Sequence, residues 1–159
     1  VSLARYVTTV ANSGTCYDLT LIDQVKDVNG NVILDNHAKV RNKVNIANST
    51  WKAVHNGMYR VVNGSRSSIG SMFSGMKVKI AGKTGTAQQS KLHANHAYFV
   101  SYAPYKNPEI SVTCVIPNGF TSSNAAQTAR DVYKYYFSKN KKKVSGKIKM
   151  PESNTTHTD

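Results

Sequence analysis

Apolar residues recur at helical spacing in three stretches of the chain. In residues 2–12, 48–63 and 121–137 they return every three or four positions, which is the period of one face of an α-helix. The sequence therefore predicts three amphipathic helices. Their apolar positions are Leu3, Val7 and Val10; Trp51, Val54, Met58 and Val61; and Ala125, Ala129, Val132 and Tyr136.

Capping residues mark the predicted ends of these helices. Gly14 is a natural C-cap residue for the first helix, and Gly64 ends the second. Asn48 or Ser49 can cap the start of the second helix with a side-chain oxygen. The third helix begins at the Thr121/Ser122 cap region.

Strand patterns fill the remaining chain. Asn29-Gly30 is a strong hairpin turn signal and predicts strands near 19–28 and 31–34. Three further strand-like runs cover 77–89, 96–105 and 109–119, and the short links between them predict sequential antiparallel strands. Together with the helices, they predict an α+β fold in which a sheet of at least three strands is flanked by the first and last helices.

Composition limits the domain count and the partners. The chain has 159 residues, 40% of them hydrophobic, which allows one domain with a core. We expect a domain over 1–138 and a basic disordered tail over 139–159, where six of the 21 basic residues lie. The net charge is +13, but no nucleic-acid-binding motif is present, so we expect no nucleic-acid partner.

Neither cysteines nor histidines form a metal-binding pattern. Cys114 lies in an apolar strand run and reads as a buried free thiol, although a single disulfide with Cys16 stays open. His93 and His96 have a spacing that can bind metal, but no third ligand is evident. We therefore expect no metal and no cofactor, and expect His96 to shape the start of a strand.

The stretch Gly82-Lys83-Thr84-Gly85-Thr86 is the main candidate for chemistry. It could be a phosphate-binding loop, an active-site strand or an ordinary hairpin edge. A phosphate loop needs a first glycine where Lys77 stands, and a helix after the motif, so this interpretation fails.

The same residues also match the Lys-Thr-Gly strand of penicillin-binding proteins and serine β-lactamases, in which each residue type has a physical role. A lysine supplies positive charge, threonine hydroxyls bind a carboxylate, and a glycine lets substrate lie along the strand. A backbone N–H after the glycine can donate to an oxyanion. The stretch 78–89 satisfies each requirement.

The flanking sequence strengthens this interpretation. "AGKTGTAQ" is followed by "HAYFVSYAPYKNPEISVTCVIPNG" and a helix with "ARDVYKYYF", and it is preceded by "LARYVTTVANSGT", "DVNGNVI" and "TWKAVHNGMYRVV". Over residues 2–137 the chain closely resembles the C-terminal part of the transpeptidase domain of class B penicillin-binding proteins. The resemblance implies a partial penicillin-binding/β-lactamase-like domain whose start lies upstream.

The resemblance also implies residue roles. Lys83 would be the motif lysine. Thr84 and Thr86 would bind the carboxylate of donor or β-lactam, the Thr86 N–H would form half of an oxyanion hole, Gly85 would leave room for substrate, and Gln88 would border the acceptor side. The ligands would be β-lactams and peptidoglycan stem peptides ending in D-Ala-D-Ala. The parent would be anchored at the extracytoplasmic face of the bacterial membrane, with division or elongation proteins as partners.

The family has two further motifs, the nucleophile motif S-x-x-K and the motif S-x-N, and no string in this sequence fits either of them. The S-x-x-K strings begin at Ser49, Ser74 and Ser138, and each has the wrong context, while Ser122–Asn124 follows Lys83 instead of preceding it. We expect the chain to be inactive alone. Two alternative interpretations stay open: the chain is a fragment of a β-lactam-hydrolysing or β-lactam-sensing relative, or it is a non-catalytic module. An exposed sheet edge further predicts a homodimer, which sedimentation would exclude by showing only monomer.

Overall fold

The computed structural model describes residues 1–138, so the predicted tail lies outside the described residues. Its elements, in chain order, are helix α1 (Ser2–Ala11), strands β1 (Thr15–Tyr17), β2 (Gln24–Lys26), β3 (Val32–Asp35) and β4 (Val40–Lys43), helix α2 (Asn48–Asn63), a 3-10 helix (Gly70–Phe73), strands β5 (Ala81–Ala87), β6 (His96–Ala103) and β7 (Ile110–Ile116), and helix α3 (Ser122–Tyr136). This is the predicted α+β fold. No helix within 1–138 has both the length and the apolarity to cross a membrane.

The main sheet has the order β5-β6-β7, with both pairs antiparallel and in regular register. This confirms the three sequential strands, although β5 begins at Ala81 and leaves the predicted positions 77–80 outside the strand. Strands β5 and β7 are the outer strands of the sheet in the part of the chain that the structure describes. The candidate motif therefore lies on an edge strand.

Helices cover both faces of this sheet because alternate residues of β6 are apolar on each side. On one face, Phe99 packs with Ala125 and Ala129 of α3. On the other, Val100 packs with Val7 of α1 and with the side of α2. The middle strand is thus buried on both faces, which fixes the edge strand β5 against a rigid neighbour.

The first helix ends earlier than Gly14, which corrects the predicted cap. Asn12 is the C-cap, and the N–H groups of Ser13 and Gly14 bond the carbonyls of Val10 and Thr9 in a Schellman arrangement. Ser13 itself takes a positive φ of 50°. Glycine is needed at position 14 because a Cβ there would lie 2.5 Å from the Val44 carbonyl oxygen.

The predicted side-chain cap of α2 is also wrong. The N-cap is Ala47, which has no side-chain acceptor, and Asn48 and Ser49 are already the first helical residues. Packing of Trp51, Met58 and Val62 holds this helix instead of a cap. Its predicted end at Gly64 is confirmed.

The hairpin around Asn29-Gly30 forms, but β2 is shorter than predicted, and β3 has the predicted length and begins one residue later. The Asp27 carboxylate accepts N–H bonds from Asn29 and Asn31, and Gly30 follows with a positive φ of 89°. The pairing of β1 with β4 was not predicted. Strand β4 is exposed throughout, so it carries no apolar alternation.

Two buried tyrosines differ in their hydrogen bonding. The Tyr133 hydroxyl donates to Ser101 Oγ at 2.9 Å, which links α3 to β6. The Tyr102 hydroxyl is buried and has no hydrogen-bond partner among residues 1–138. Burial raises the pKa of Tyr102 to about 12, with the charge of Tyr105 as a second cause, and raises the pKa of Tyr133 well above its usual range.

This difference predicts a matched pair of variants. In the folded protein both phenols stay neutral to a higher pH than in the unfolded chain, where tyrosine ionises near pH 10. Their contribution is therefore fully present below pH 10 and is lost as the pH rises toward 12 and beyond. At pH 7, Tyr133→Phe should cost about 1 kcal/mol, while Tyr102→Phe should be neutral or stabilising.

Urea unfolding at pH 7 and in steps above pH 9 measures both effects. Each variant should show a weaker loss of stability at alkaline pH than the wild type. An equal cost for both variants at pH 7 would show that the Tyr133 hydroxyl, bonded to Ser101, contributes no more to stability than the Tyr102 hydroxyl.

Candidate active site

Strand β5 carries the Lys-Thr-Gly residues along an edge of the main sheet. Lys83 pairs with Val100, and Gly85 pairs with Tyr98, so both lie on the face covered by α1 and α2. Thr84 and Thr86 alternate to the other face, where their side chains share one side of the strand. The motif thus offers a lysine on one face and two hydroxyls on the other.

The Lys83 side chain is exposed and stays close to its own strand. Its Nζ donates to the carbonyl oxygen of Thr84 at 2.6 Å. None of the three ion pairs found in residues 1–138 includes a lysine. The ammonium group is therefore available at the strand edge without a carboxylate partner among them.

A cavity of about 740 Å³ lies along the edge of β5 on the side of α1 and α2, between these helices and the β5–β6 pair. Lys83, Thr84 and Gly85 line it together, so the structure brings these three predicted residues to one site. The predicted residues Thr86 and Gln88 are exposed and do not line this cavity. The remaining lining residues are mostly apolar: Leu3, Tyr6, Val54, Gly57, Met58, Val61, Tyr98 and Val100.

The two glycines of β5 are there for different reasons. A Cβ at Gly85 would lie 3.4 Å from the Tyr98 Cβ, which is ordinary contact, so packing does not require glycine there. A Cβ at Gly82 would lie 2.6 Å from the Phe99 ring and 3.0 Å from the Ser101 Cβ. Gly82 is thus required by the core, a role that the motif alone did not reveal.

The rejected serine motifs lie in structural positions. Ser49 is in the first turn of α2 and Ser74 caps the 3-10 helix, and neither lines the cavity that contains Lys83. Ser122 is the first residue of α3, which Thr121 caps by accepting from the Ser123 N–H at 3.5 Å. The string that starts at Ser138 runs outside the described residues.

His96 fastens the start of β6. Its Nδ1 accepts the Asn118 N–H at 2.9 Å, so Nε2 carries the proton that it donates to Gln89 Oε1 at 2.8 Å. Within residues 1–138 no group of three potential ligands could hold a metal ion.

Both cysteines are free. Cys16 is the buried one, and Cys114 is half-buried, which corrects the expected full burial of Cys114. Strand β7 is an outer strand, so its residues are covered less completely than those of β6.

Comparison with known proteins identifies the family of the chain. Residues 1–134 match the family model for the penicillin-binding protein transpeptidase domain. The chain is 40% identical over 103 residues to peptidoglycan D,D-transpeptidase MrdA of Haemophilus influenzae, covering 55% of this chain and 16% of that protein. It is 34% identical over 148 residues to penicillin-binding protein 2B of Streptococcus pneumoniae, covering 86% and 22%.

Solved structures show the same fold. Penicillin-binding protein 2B of S. pneumoniae strain R6 superposes with a TM-score of 0.74 at 31% identity, over 87% of this chain and 25% of that one. An imipenem acyl-enzyme complex of penicillin-binding protein A from M. tuberculosis gives 0.71 at 22% identity, over 82% and 29%, and supports the fold alone.

The chain spans only 16–26% of the length of curated relatives such as these and penicillin-binding protein 2A of Bacillus subtilis. The matched region nevertheless covers nearly all of the residues that the structure describes, including β5 and its motif. The chain therefore belongs to the penicillin-binding protein transpeptidase domain family, and its relatives are class B penicillin-binding proteins.

Proposed function

We propose that this chain forms the Lys-Thr-Gly wall of a peptidoglycan D,D-transpeptidase that cross-links stem peptides and binds penicillin. The observation that carries the proposal is the cavity beside β5, where Lys83, Thr84 and Gly85 lie together. The relatives named as D,D-transpeptidase and penicillin-binding protein favour this chemistry over β-lactam hydrolysis.

The strand geometry supports specific roles. The hydroxyls of Thr84 and Thr86 share one side of β5 and would bind the terminal carboxylate of the donor peptide or the carboxylate of a β-lactam. Lys83 would add positive potential without a competing carboxylate among the described ion pairs. Gly85 would let the peptide lie against the strand, since it is not needed for packing.

The Thr86 backbone N–H would provide half of the oxyanion hole. Backbone groups two residues apart on a strand point the same way, so Thr86 shares the direction of Thr84. The Thr84 carbonyl is within reach of the exposed Lys83 ammonium, which favours an outward direction for both. Gln88 is exposed just beyond the strand and would border the acceptor side.

The reaction would need a serine from outside this chain. That serine would attack the carbonyl carbon of the penultimate D-alanine, and the terminal D-alanine would leave with a proton. The amine of a second stem peptide would then attack the acyl-enzyme and free the serine. The acyl-enzyme needs no metal or cofactor, because the serine and the oxyanion hole carry the charge changes.

The setting of the parent follows from the same proposal. It would act at the extracytoplasmic face of the bacterial membrane, where peptidoglycan is assembled, with division or elongation proteins as partners. Self-association through the outer edge of β5 or β7 stays a prediction.

Labelling with a fluorescent penicillin tests this proposal. The 159-residue chain alone should take up no covalent label in denaturing electrophoresis, because Ser49 and Ser74 lie away from the Lys83 cavity. The full-length protein that contains the chain should be labelled stoichiometrically. An unlabelled full-length protein would favour a non-catalytic module, and fast release of the label would favour a β-lactam-hydrolysing enzyme.

A further inference from the structure

A second cavity adjoins the Lys83 cavity along the C-terminal half of α2. It has a volume of about 860 Å³, and we call it the arginine cavity. It shares Gly57, Val61 and Thr84 with the first cavity, so the two adjoin at the edge of β5. Its residues are Gly57, Arg60, Val61, Gly64, Ser65, Arg66, Ser67, Ser68 and Thr84.

The polar side chains of this cavity are suited to an anion. Arg60 and Arg66 line it, each carrying a guanidinium group, and no acidic residue within 1–138 is among its lining residues. Neither arginine takes part in the three ion pairs of residues 1–138. Two positive charges thus border one cavity without a carboxylate to neutralise them.

The two arginines come from different parts of the backbone. Arg60 lies in the last turn of α2, where a positive side chain also offsets the negative end of the helix dipole. Arg66 lies beyond the helix, so the dipole does not account for it. The Ser67 hydroxyl donates to the Val61 carbonyl and accepts the Ile69 N–H, which folds the 64–68 loop back over α2.

We propose that the arginine cavity binds a second carboxylate of the same peptide whose terminal carboxylate is held by Thr84 and Thr86. This inference rests on the proposed function. Guanidinium groups bind carboxylates through two parallel hydrogen bonds, which gives direction as well as charge. Since Thr84 lines both cavities, one short peptide can reach both positions.

The test compares two peptides that differ in one functional group. The probes are acetyl-Glu-D-Ala-D-Ala and acetyl-Gln-D-Ala-D-Ala, and their Kd values for the full-length protein are measured by ligand-observed NMR. The glutamate peptide should bind about tenfold more tightly, which is typical of one charge-assisted contact. The Arg60→Ala/Arg66→Ala variant should bind both peptides equally, at the affinity of the glutamine peptide.

A control variant removes the same charge elsewhere. Lys26→Ala/Arg41→Ala takes two positive charges from β2 and β4, and it should keep the tenfold preference. Arg60→Lys/Arg66→Lys keeps the charge and should recover only part of the preference, because lysine cannot form the paired contact.

The outcomes separate this inference from the proposed function. Equal binding of both peptides to the wild type, or a preference that survives Arg60→Ala/Arg66→Ala, contradicts the proposal that the arginine cavity binds a carboxylate. If the preference depends on the arginines but Lys83→Ala changes the binding of neither peptide, the carboxylate site in the arginine cavity is supported and the proposed role of β5 is contradicted. Absence of binding by either peptide overturns both.

Discussion

Replacing Gly82 with alanine is expected to destabilise the fold by about 3 kcal/mol, because the added methyl group overpacks the core. The new Cβ would lie 2.6 Å from Phe99 Cζ and 3.0 Å from the Ser101 Cβ. Neither neighbour can move freely. Phe99 is fully buried against α3, and Ser101 is held in the same layer by the Tyr133 hydroxyl.

Urea unfolding measures this loss as a lower midpoint at unchanged slope. Gly57→Ala is the matched control, since it adds the same methyl group where, apart from the neighbouring backbone of α2 itself, no atom of residues 1–138 lies within 4 Å. That change is inside α2 and should stabilise the protein by about 0.5–1 kcal/mol through helix propensity. If Gly82→Ala were as stable as the wild type, the inference that β5 packs too closely on Phe99 to accept a side chain at position 82 would be contradicted.

Much of the fold could be predicted from the sequence because its core elements have strong local patterns. The helices α1, α2 and α3 show clear helical spacing, and the β5–β6–β7 order follows from short links between apolar runs. The β1–β4 pair could not be predicted in this way. Its strands are only three and four residues long, they lie far apart in sequence, and β4 is exposed on both faces.

Helix ends were less predictable than helix positions. Asn48 and Ser49 have good capping side chains, yet α2 starts after Ala47 because burial of Trp51 and Met58 decides its position. Tertiary packing outweighs the capping preference here, which contributes only about 1 kcal/mol.

The candidate site was predictable where a motif exists. Lys83, Thr84 and Gly85 are contiguous, so their cluster follows from one strand. No pattern in the sequence shows that Arg60 and Arg66 line the same cavity. The turn at Gly64, after the end of α2, brings them there. The structural role of Gly82 depends on Phe99, which lies on the neighbouring strand.

Replacing Lys83 with alanine should cause the largest loss of function. The ammonium lies at the edge of β5, 2.6 Å from the Thr84 carbonyl, and in the proposed function it acts next to the β-lactam carboxylate bound by Thr84 and Thr86. Loss of one preorganised electrostatic contact at a reacting centre typically costs about 100-fold or more in rate. The side chain is exposed, so the fold should keep its stability.

Lys79→Ala is the matched control for this variant. Lys79 is an exposed lysine four residues earlier, and its side chain lines a different cavity, with Tyr59 and Tyr105. Both changes remove one positive charge from the same part of the chain. If the positive charge only attracts penicillin in general, both variants should weaken acylation equally. If Lys83 has a specific role on β5, only Lys83→Ala should weaken it.

The second-order rate constant for penicillin acylation of the full-length protein is the most direct test of the claim that β5 is a wall of the penicillin-binding cleft. We expect a fall of about 100-fold or more for Lys83→Ala, with Lys79→Ala close to the wild type and both variants unfolding at the wild-type urea midpoint. Equal rates for Lys83→Ala and the wild type would contradict it.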